Sequence, residues 1–350
     1  MVNSKFWKNK KVLITGHTGF KGGWLSLVLS KLGSKLYGYS LPPENKNCFY
    51  EKTKIKNIFI KSIFGDLNDK LKLKKFIQTT KPQIIFHLAA QPLVKESYEN
   101  PIYTFETNIL GTSYLCDYAK NCQSVKSLIV VTSDKCYFNN DKKLRLFKET
   151  DPLGGKDPYS ASKACAEIVT HAFQKSFFLN SNLNCATVRA GNVIGGGDSS
   201  KFRIFPDIIK AIKSSKKIVL RNPNAIRPWQ HVIEPVIGYI NLAEKLYKNK
   251  KNYIGPWNFG PETKSLKSVL ELVKEVNKFK KIRFKSLRKK NKIYESKFLG
   301  LDIKKSKKIL SWKPRINFTE SIQISLEWYF AKEKREITEK QIEKYLNFKT

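Results

Sequence analysis

The sequence lacks three features that would place it in large classes of protein. No stretch approaches the roughly 18 consecutive apolar residues of a membrane-spanning helix, so we expect no membrane partner. The amino terminus lacks the charged, apolar and small-residue sections of a secretory signal, which favours a cytoplasmic location. The six cysteines form no C-x-x-C pair, so we expect buried thiols, with neither a metal site nor a disulfide framework.

Arginine is also scarce, although the formal net charge is +37. Only nine of the 66 basic residues are arginine, and the lysines are scattered over every segment. This spread indicates solvated faces, and no helix-turn-helix, zinc or stacking motif accompanies the charge, so we expect no nucleic-acid partner. The few arginines are more informative, because four of them lie where a phosphorylated ligand could be held: Arg189, Arg203, Arg221 and Arg227.

The sequence does contain a regular alternation of short apolar strands and helical stretches through residue 190. This pattern predicts an α/β fold with a Rossmann-type doubly wound parallel sheet over residues 1–190, to which parts of residues 229–260 return. The mixed, aromatic composition of residues 191–335 predicts a smaller α/β substrate-binding lobe. Residues 336–350 are expected to form a peripheral charged tail. The predicted strands are 11–15, 35–40, 58–64, 84–91, 128–131 and 184–189.

A glycine-rich turn connects the first predicted strand to a helix. Its G-x-x-G-x-x-G spacing lets the backbone approach a pyrophosphate, whose charge then lies at the helix amino terminus. The second strand ends without the acid that selects NAD or the arginine that accepts NADP, so local sequence leaves that choice open. For His17 two interpretations stand, a group that tunes cofactor retention or a solvated turn residue. The predicted cofactor contacts in the turn are Gly16, His17, Gly19, Phe20 and Gly22.

Two further strand ends are expected to face the cofactor. An acid after the third strand, Asp66, would accept from the adenine edge or cap the following helix. Small residues end the fourth strand and leave room for a cofactor against the backbone. Asn108 lies on an otherwise apolar helix face and is a candidate buried brace beside this site. The residues predicted to form this part of the cofactor site are Asp66, Leu67, Ala89, Ala90, Gln91 and Asn108.

The chemistry is expected where the fifth strand ends and the next helix begins. Ser133, Asp134 and Lys135 follow that strand at the carboxyl edge, where open parallel sheets bind their ligands. Tyr159 and Lys163 open a helical stretch, and residues four apart share one helix face. The sequence therefore predicts a phenol beside an ammonium at the same edge.

Three signals together resemble the extended short-chain dehydrogenase/reductase superfamily, and within it the nucleotide-sugar 4,6-dehydratases. They are TGHTGFKG at residues 15–22, the Tyr159-x-x-x-Lys163 pair and the Ser-Asp-Lys strand end. The resemblance covers residues 8–330. It implies NAD as cofactor and an assembly that is a homodimer or a dimer of dimers.

Other motifs are similar to the branch of this family that acts on CDP-glucose and supplies deoxysugar biosynthesis. They are RPWQHVIEP at residues 227–235, Leu-Ser-Trp-Lys-Pro at residues 310–314, and Lys135, where dTDP-glucose dehydratases carry glutamate. In the smaller lobe the resemblance implies that guanidinium and amide groups bind the nucleotide-sugar substrate, CDP-glucose. These residues are Asn192, Arg203, Arg227 and Trp229.

The resemblance also implies a role for each catalytic residue. Tyr159 would take the proton of the sugar C4 hydroxyl, its pKa lowered by the Lys163 ammonium and the positive nicotinamide. Ser133 would bind the C4 oxygen, and Asp134 would protonate the leaving C6 hydroxyl. Lys135 would remove the C5 proton as a neutral amine, or stay charged and stabilise the enolate.

Three alternative functions stay open on the sequence. One is a dehydratase that acts on another nucleotide sugar. A nucleotide-sugar 4-epimerase would use the same tyrosine, lysine and NAD, but it needs neither Asp134 nor Lys135. A nucleotide-binding protein without catalysis would need none of them. The family dimers pair helices that would lie near residues 104–120 and 159–175 in this chain.

Overall fold

The fold is centred on one seven-stranded sheet in which neighbouring strands run parallel. The computed structural model describes residues 2–141, 144–248, 251–286 and 296–347. The strands of this sheet are β1 Lys11–Thr15, β2 Lys35–Ser40, β3 Phe59–Phe64, β4 Ile84–His87, β5 Ser127–Val131, β6 Asn184–Ala190 and β11 Gly255–Phe259. Their order is β11-β6-β5-β4-β1-β2-β3. The winding direction reverses between β1 and β4, the point where open parallel sheets bind ligands.

The predicted doubly wound α/β fold is confirmed. The first two predicted strands coincide with β1 and β2, and the others agree within a residue or two except the fourth. That strand ends at His87 rather than at residue 91: the Leu88 N–H still donates to the Thr15 carbonyl of β1, and Leu88, Ala89 and Ala90 then line the cleft. β4 and β5 are buried along their whole length, as strands covered on both faces must be.

Helices cover both faces of the sheet. The helices of the described residues, including those of the smaller lobe, are α1 Ser4–Trp7, α2 Phe20–Lys31, α3 Phe49–Lys52, α4 Lys70–Thr80, α5 Val94–Glu99, α6 Pro101–Phe105, α7 Gly111–Lys120, α8 Pro158–Phe173, α9 Ile204–Lys213, α10 Ile233–Tyr247, α11 Val269–Phe279, α12 Lys304–Leu310, α13 Phe318–Phe330 and α14 Lys334–Leu346. α2 and α10 pack on one face, and α4, α7 and α8 pack on the other. In the described part of the chain, no helix combines the length and apolar character that crossing a membrane requires.

The smaller lobe is built around α9, α11 and three pairs of short strands. The pairs are β7 Val193–Ile194 with β10 Gln230–His231, β8 Ile218–Leu220 with β13 Phe284–Ser286, and β9 Ile226–Pro228 with β12 Leu266–Ser268. Between these pairs the chain returns to the large sheet, where α10 packs on β5 and β6 and β11 pairs with β6. The lobe residues that follow β6 are thereby held at the carboxyl edge of the sheet.

The carboxyl-terminal helix α14 packs against the rest of the protein. Ile342 and Tyr345 are buried, and the Tyr345 hydroxyl donates to Glu234 Oε2 at 2.5 Å. The expectation of a peripheral tail is therefore wrong for residues 336–347. Charged residues dominate the composition of this helix, but a helix needs only one apolar residue in three or four to bury a face. Residues 348–350 of the predicted tail lie outside the described residues.

Candidate active site

A cleft of about 550 Å³ opens at the carboxyl edge of the sheet, between the strand ends and the smaller lobe. All the predicted catalytic and substrate-binding residues line it: Ser133, Asp134, Lys135, Tyr159, Lys163, Asn192, Arg203, Arg227 and Trp229. Eight residues predicted only to bind the cofactor also line it: Gly16, Gly19, Phe20, Gly22, Asp66, Leu67, Ala89 and Ala90. Three predicted cofactor contacts do not: His17, Gln91 and Asn108.

The glycine turn between β1 and α2 forms a close backbone cradle. Gly16 has a φ of +76°, and a Cβ at this position would lie 2.6 Å from the Ala89 nitrogen. A Cβ on Gly22 would collide with the Gly16 carbonyl. The amino terminus of α2 has no side-chain cap and no acidic residue in its first turn. Its N–H groups can therefore take an anion, which fits the pyrophosphate of a dinucleotide.

His17 points away from the cleft, so neither interpretation drawn from the sequence is right. The ring is fully buried, its Nε2 shares a hydrogen bond with Ser62 Oγ at 2.7 Å, and it packs on the Phe59 ring at 4.7 Å. Burial lowers the pKa of His17 to about 4. A Cβ at Gly38 in β2 would come within 2.7 Å of this ring, so the imidazole fills a space that a glycine leaves open.

Gln91 and Asn108 are buried beside the cleft and hydrogen-bond the elements around it. The Asn108 Oδ1 accepts from the Gln91 backbone N–H at 2.8 Å, and its Nδ2 donates to Ser162 Oγ at 2.8 Å. The Gln91 amide donates to Thr104 Oγ1 at 2.8 Å. Asn108 lies in the π turn Glu106–Leu110, which joins α6 to α7. The Asn108 side chain is the buried brace that the sequence indicated and ties the residues after β4 to α8, whereas the Gln91 side chain bonds α6. Neither lines the cleft, which corrects their prediction as cofactor contacts.

Asp66 faces the cleft where β3 ends. Its Oδ1 accepts from the Asn68 backbone N–H at 2.8 Å, and its Oδ2 accepts from the Tyr103 hydroxyl at 3.2 Å. The cap of α4 is Asp69, whose side chain accepts from the Lys72 N–H. The helix-cap interpretation of Asp66 is therefore wrong, and its position favours a contact with a ligand in the cleft.

The end of β5 presents three polar side chains through the short 3₁₀ turn Asp134–Cys136. The Ser133 hydroxyl accepts from the Lys135 N–H at 3.2 Å and donates to Asp134 Oδ1 at 3.1 Å. The Asp134 carboxyl is 3% exposed, and its Oδ2 has no hydrogen-bond partner among the described residues. Burial raises the pKa of Asp134, and the charge of Lys135 offsets part of that rise. This carboxyl is therefore suited to hold a proton at a higher pH than an exposed aspartate does.

Tyr159 and Lys163 lie in the first two turns of α8, facing the end of β5. The Lys163 ammonium donates to the Val131 carbonyl at 3.3 Å. Desolvation lowers the pKa of Lys163 to about 8. Burial raises the pKa of Tyr159 to about 12, and a hydrogen bond with Ser133 offsets part of the rise. The expected lowering of the Tyr159 pKa is thus wrong for the protein alone, because removing water from the phenolate outweighs the nearby positive charge.

Arg203 and Arg227 reach the cleft from the smaller lobe, together with Arg221 and Asn192. Arg203 Nη1 pairs with Asp198 Oδ2 at 3.3 Å, which orients its guanidinium. Trp229 lines the cleft with its ring, while its indole N–H donates to a backbone carbonyl of the lobe at 2.9 Å. The region therefore offers cations and an aromatic surface, a set that suits a diphosphate.

Arg189 does not reach the cleft, so its prediction as a phosphate ligand is wrong. It lies in β6 and is 2% exposed. Its Nε and Nη2 donate to the Glu167 carboxylate at 2.9 and 2.8 Å. A buried guanidinium needs such an acidic partner. Glu167 is 22 residues away in the sequence, so the pairing could not be predicted from neighbouring residues.

Sequence reasoning missed two residues that shape the cleft. Lys21 lies in the glycine turn and lines the cleft, where desolvation and the charges of Arg203 and Lys163 lower the pKa of Lys21 to about 8. A lysine within a phosphate-binding turn was the available signal. Asp157 caps α8 by accepting from the Ser160 N–H at 2.9 Å, which fixes where the helix begins. The Asp-Pro pair at a helix start was the signal in that case.

The sequence is similar to known proteins over most of its length. Residues 13–325 match the family described as GDP-mannose 4,6 dehydratase. Over 337 residues the chain is 42% identical to the CDP-glucose 4,6-dehydratase of Salmonella typhimurium, covering 95% of this chain and 93% of that protein.

Solved structures share the fold at low sequence identity. An epimerase from Methanothermobacter thermautotrophicus has a TM-score of 0.80 at 21% identity and covers 96% of each chain. A double mutant of the dTDP-glucose 4,6-dehydratase from Streptomyces venezuelae, solved with NAD, has a TM-score of 0.75 at 18% identity, covering 92% of this chain and 97% of that one.

The resemblance to nucleotide-sugar 4,6-dehydratases is therefore confirmed over nearly the whole chain. The matched region includes the glycine turn, the strand end at Ser133 and the Tyr159 and Lys163 pair. This chain belongs to the GDP-mannose 4,6-dehydratase family, a group of extended short-chain dehydrogenases/reductases.

Proposed function

We propose that this protein converts CDP-glucose to CDP-4-dehydro-6-deoxyglucose and water, with NAD+ as a bound hydride carrier. The observation that carries the proposal is Asp134 beside Lys135 at the end of β5, facing Tyr159 and Lys163 across one cleft. A 4-epimerase needs the tyrosine and lysine but has no role for a buried acid with an open oxygen. The 42% identity to the Salmonella CDP-glucose enzyme supports CDP-glucose over other nucleotide sugars.

The residues present fit a dinucleotide. The cradle at Gly16 and Gly22 admits a pyrophosphate, Asp66 faces the adenosine end of the cleft, and Lys163 stands where a nicotinamide ribose would be held. Bound NAD+ would accept a hydride from the sugar C4 and return it to C6, so that none is consumed. The protein groups then have to move protons and hold the sugar.

Oxidation at C4 requires a base for the hydroxyl proton. Tyr159 takes this proton, and Ser133 hydrogen-bonds the C4 oxygen as its charge develops. Burial raises the pKa of Tyr159, so this pKa must be lowered in the complex with substrate and cofactor for the phenol to act as a base. Positive charge near the phenol, such as that of Arg203, has the required sign, because an adjacent cation stabilises the phenolate.

Elimination follows from the ketone at C4, which acidifies the C5 hydrogen. Lys135 removes the C5 proton, and Asp134 donates its proton to the C6 hydroxyl, which leaves as water. A hydride returned to C6 by the bound cofactor, together with return to C5 of the proton held on Lys135, would complete the 6-deoxy sugar. Arg203 and Arg227 hold the diphosphate from the lobe side, so the hexose extends toward the end of β5.

The direct test is incubation with CDP-glucose and NAD+, followed by the alkali-induced absorbance of a 4-keto sugar. UDP-glucose, dTDP-glucose and GDP-mannose serve as parallel substrates. We expect product from CDP-glucose at a kcat/KM well above the other three. A C4 epimer without loss of water would show a 4-epimerase instead, and the absence of product from every nucleotide sugar would overturn the proposal.

The role of Lys135 is tested by Lys135→Met and Lys135→Arg. If the lysine is the C5 base, both variants should lower the rate of C5 proton exchange with solvent deuterium by about 10²- to 10⁴-fold, because neither offers a neutral amine. Mass spectrometry of the hexose gives this rate. Arginine keeps the charge, so wild-type exchange in Lys135→Arg alone would assign the lysine to electrostatic stabilisation of the enolate.

We also propose that the chain forms a homodimer, or a dimer of dimers, through α6, α7 and α8. These helices pack on one another and expose apolar side chains, an arrangement typical of an interface. Large side chains at least 44% exposed on these helices and the π turns that continue them are Ile102, Leu110, Ile168 and Phe177.

Ile168→Glu should therefore convert the dimer to a monomer in sedimentation equilibrium, because a buried carboxylate at the centre of an interface lacks a partner. The matched control is Ile309→Glu, since Ile309 is 41% exposed on α12, a helix that packs on β11. It should leave the mass unchanged. A wild-type mass equal to the 40.4 kDa chain at micromolar concentration would contradict the dimer.

A further inference from the structure

A buried carboxylate connects the two halves of the active site. Glu167 lies one helical turn after Lys163 on α8, and it is 4% exposed. Its Oε1 accepts from the Thr132 hydroxyl at 2.5 Å, and its Oε2 accepts from the Thr187 hydroxyl at 2.6 Å. Both oxygens also accept from Arg189, so the carboxylate has four donors from β6 and the end of β5.

The two threonines hold the same carboxylate but lie at different distances from the chemistry. Thr132 immediately precedes Ser133, the first residue of the catalytic strand end, and it borders the cleft. Thr187 lies inside β6 and is remote from that segment in sequence. The two hydroxyls are matched in burial, at 6% and 5% exposed. Of these two threonine bonds, that of Thr132 joins the catalytic strand end to α8.

Arg189 holds the other end of the same segment. Its guanidinium lies 4.7 Å from the centre of the Tyr137 ring, and its Nη1 donates to the Glu149 carbonyl at 3.2 Å. The Tyr137 hydroxyl in turn donates to Asn258 Oδ1 at 2.7 Å in β11. The segment from Thr132 to Tyr137 is thereby held at one end by Glu167 and at the other by its ion-pair partner.

We propose that Glu167 is a positioning residue for the reaction, acting through Thr132. It fixes the end of β5, with Ser133, Asp134 and Lys135, in register with the helix that carries Tyr159 and Lys163. The inference rests on the proposed dehydratase function, which needs both groups around one hexose. Glu167 does not line the cleft, and its charge is neutralised by Arg189.

The test compares Thr132→Val with Thr187→Val, because each removes one hydroxyl donor from the same carboxylate and keeps nearly the same shape. Both variants should lower the melting temperature by a similar few degrees, as the loss of one buried hydrogen bond does. Thr132→Val alone should lower kcat, by roughly 10- to 100-fold, because small misplacements of catalytic groups are that costly. Its KM for CDP-glucose and its NAD+ affinity, measured by calorimetry, should stay within about twofold of wild type. KM and NAD+ affinity report how tightly the ligands bind, and misplaced catalytic groups lower kcat without weakening that binding.

Thr132→Ser supplies the rescue, since it keeps the hydroxyl and should restore most of kcat. Equal kcat losses in the two valine variants, or no loss in either, would overturn the positioning role and leave Glu167 as a stabilising group only. A serine variant as impaired as the valine variant would also overturn it. Failure of the wild-type protein to act on any nucleotide sugar would be a separate result, which counts against the proposed function itself.

Discussion

Asp134→Asn is expected to lower kcat for the 6-deoxy-4-keto product by about 10²- to 10⁴-fold, the range for losing a general acid. The amide has nearly the same size and keeps the hydrogen bond with Ser133, but it has no proton to give to the C6 hydroxyl. Oxidation at C4 does not require Asp134, so a 4-keto sugar that retains its C6 hydroxyl should accumulate. Quenching with borodeuteride followed by mass spectrometry of the hexose measures this intermediate, because the reduced sugar then carries deuterium at C4 and keeps its C6 hydroxyl.

The pH dependence gives the same assignment an independent check. Burial raises the pKa of Asp134, so the protonated form persists to a higher pH than in an exposed aspartate and is lost as the pH rises through the raised pKa. The wild-type kcat should therefore fall on the alkaline side of its profile through loss of the acid. The asparagine variant has no such proton and should lack this limb. An asparagine variant with wild-type turnover would exclude Asp134 as the acid.

The sequence predicted the middle of the central sheet well because β4, β5 and β6 are buried along their whole length. An uninterrupted apolar, β-branched run such as residues 128–131 has few alternatives to a covered parallel strand. The residues at the strand ends were equally accessible to prediction. Parallel strands deliver their carboxyl ends to one edge, so Ser133 and Asp66 had to approach the glycine turn once the fold was known.

The errors share a different cause, which is that side-chain direction and partner choice depend on tertiary contacts. His17 lies in the correct turn, yet its ring fills a space opened by Gly38 in a neighbouring strand. Arg189 lies at a strand end near the cleft, but Glu167 captures it from a helix. In each case the decisive neighbour lies more than 20 residues away, and a single sequence without relatives does not reveal such pairings.

The same limit applied to the carboxyl-terminal helix. Its charged composition predicted a peripheral tail, whereas the Tyr345 hydroxyl donates to Glu234 on α10, and burial raises the pKa of Glu234 to about 7. The acid on α10 and the hydroxyl on the last helix are 111 residues apart. Composition describes the exposed face of such a helix and says nothing about the few residues that anchor it.

Tyr159→Phe is expected to lower kcat by at least about 10²- to 10⁴-fold, because it removes the base for the first proton transfer. The ring still fills its site in α8, and only the hydroxyl that bonds Ser133 is lost, so the affinity for CDP-glucose should change by no more than a few-fold. An ionised phenol is required, so the wild-type rate should rise with pH on the acid side. Positive charge in the complex must lower the pKa of Tyr159 from the value of about 12 in the protein alone.

The two variants fail at different steps, and this difference identifies the role of each residue. Asp134→Asn should accumulate an oxidised sugar. Tyr159→Phe should accumulate none, because oxidation at C4 requires removal of the C4 hydroxyl proton and this variant lacks the base. Borodeuteride quenching of both variants under the same conditions distinguishes them. Equal amounts of 4-keto sugar in the two samples would mean that oxidation proceeds without the phenol, and the base would then have to be sought among the other cleft residues, with the lysines at 21 and 163 as the first to test.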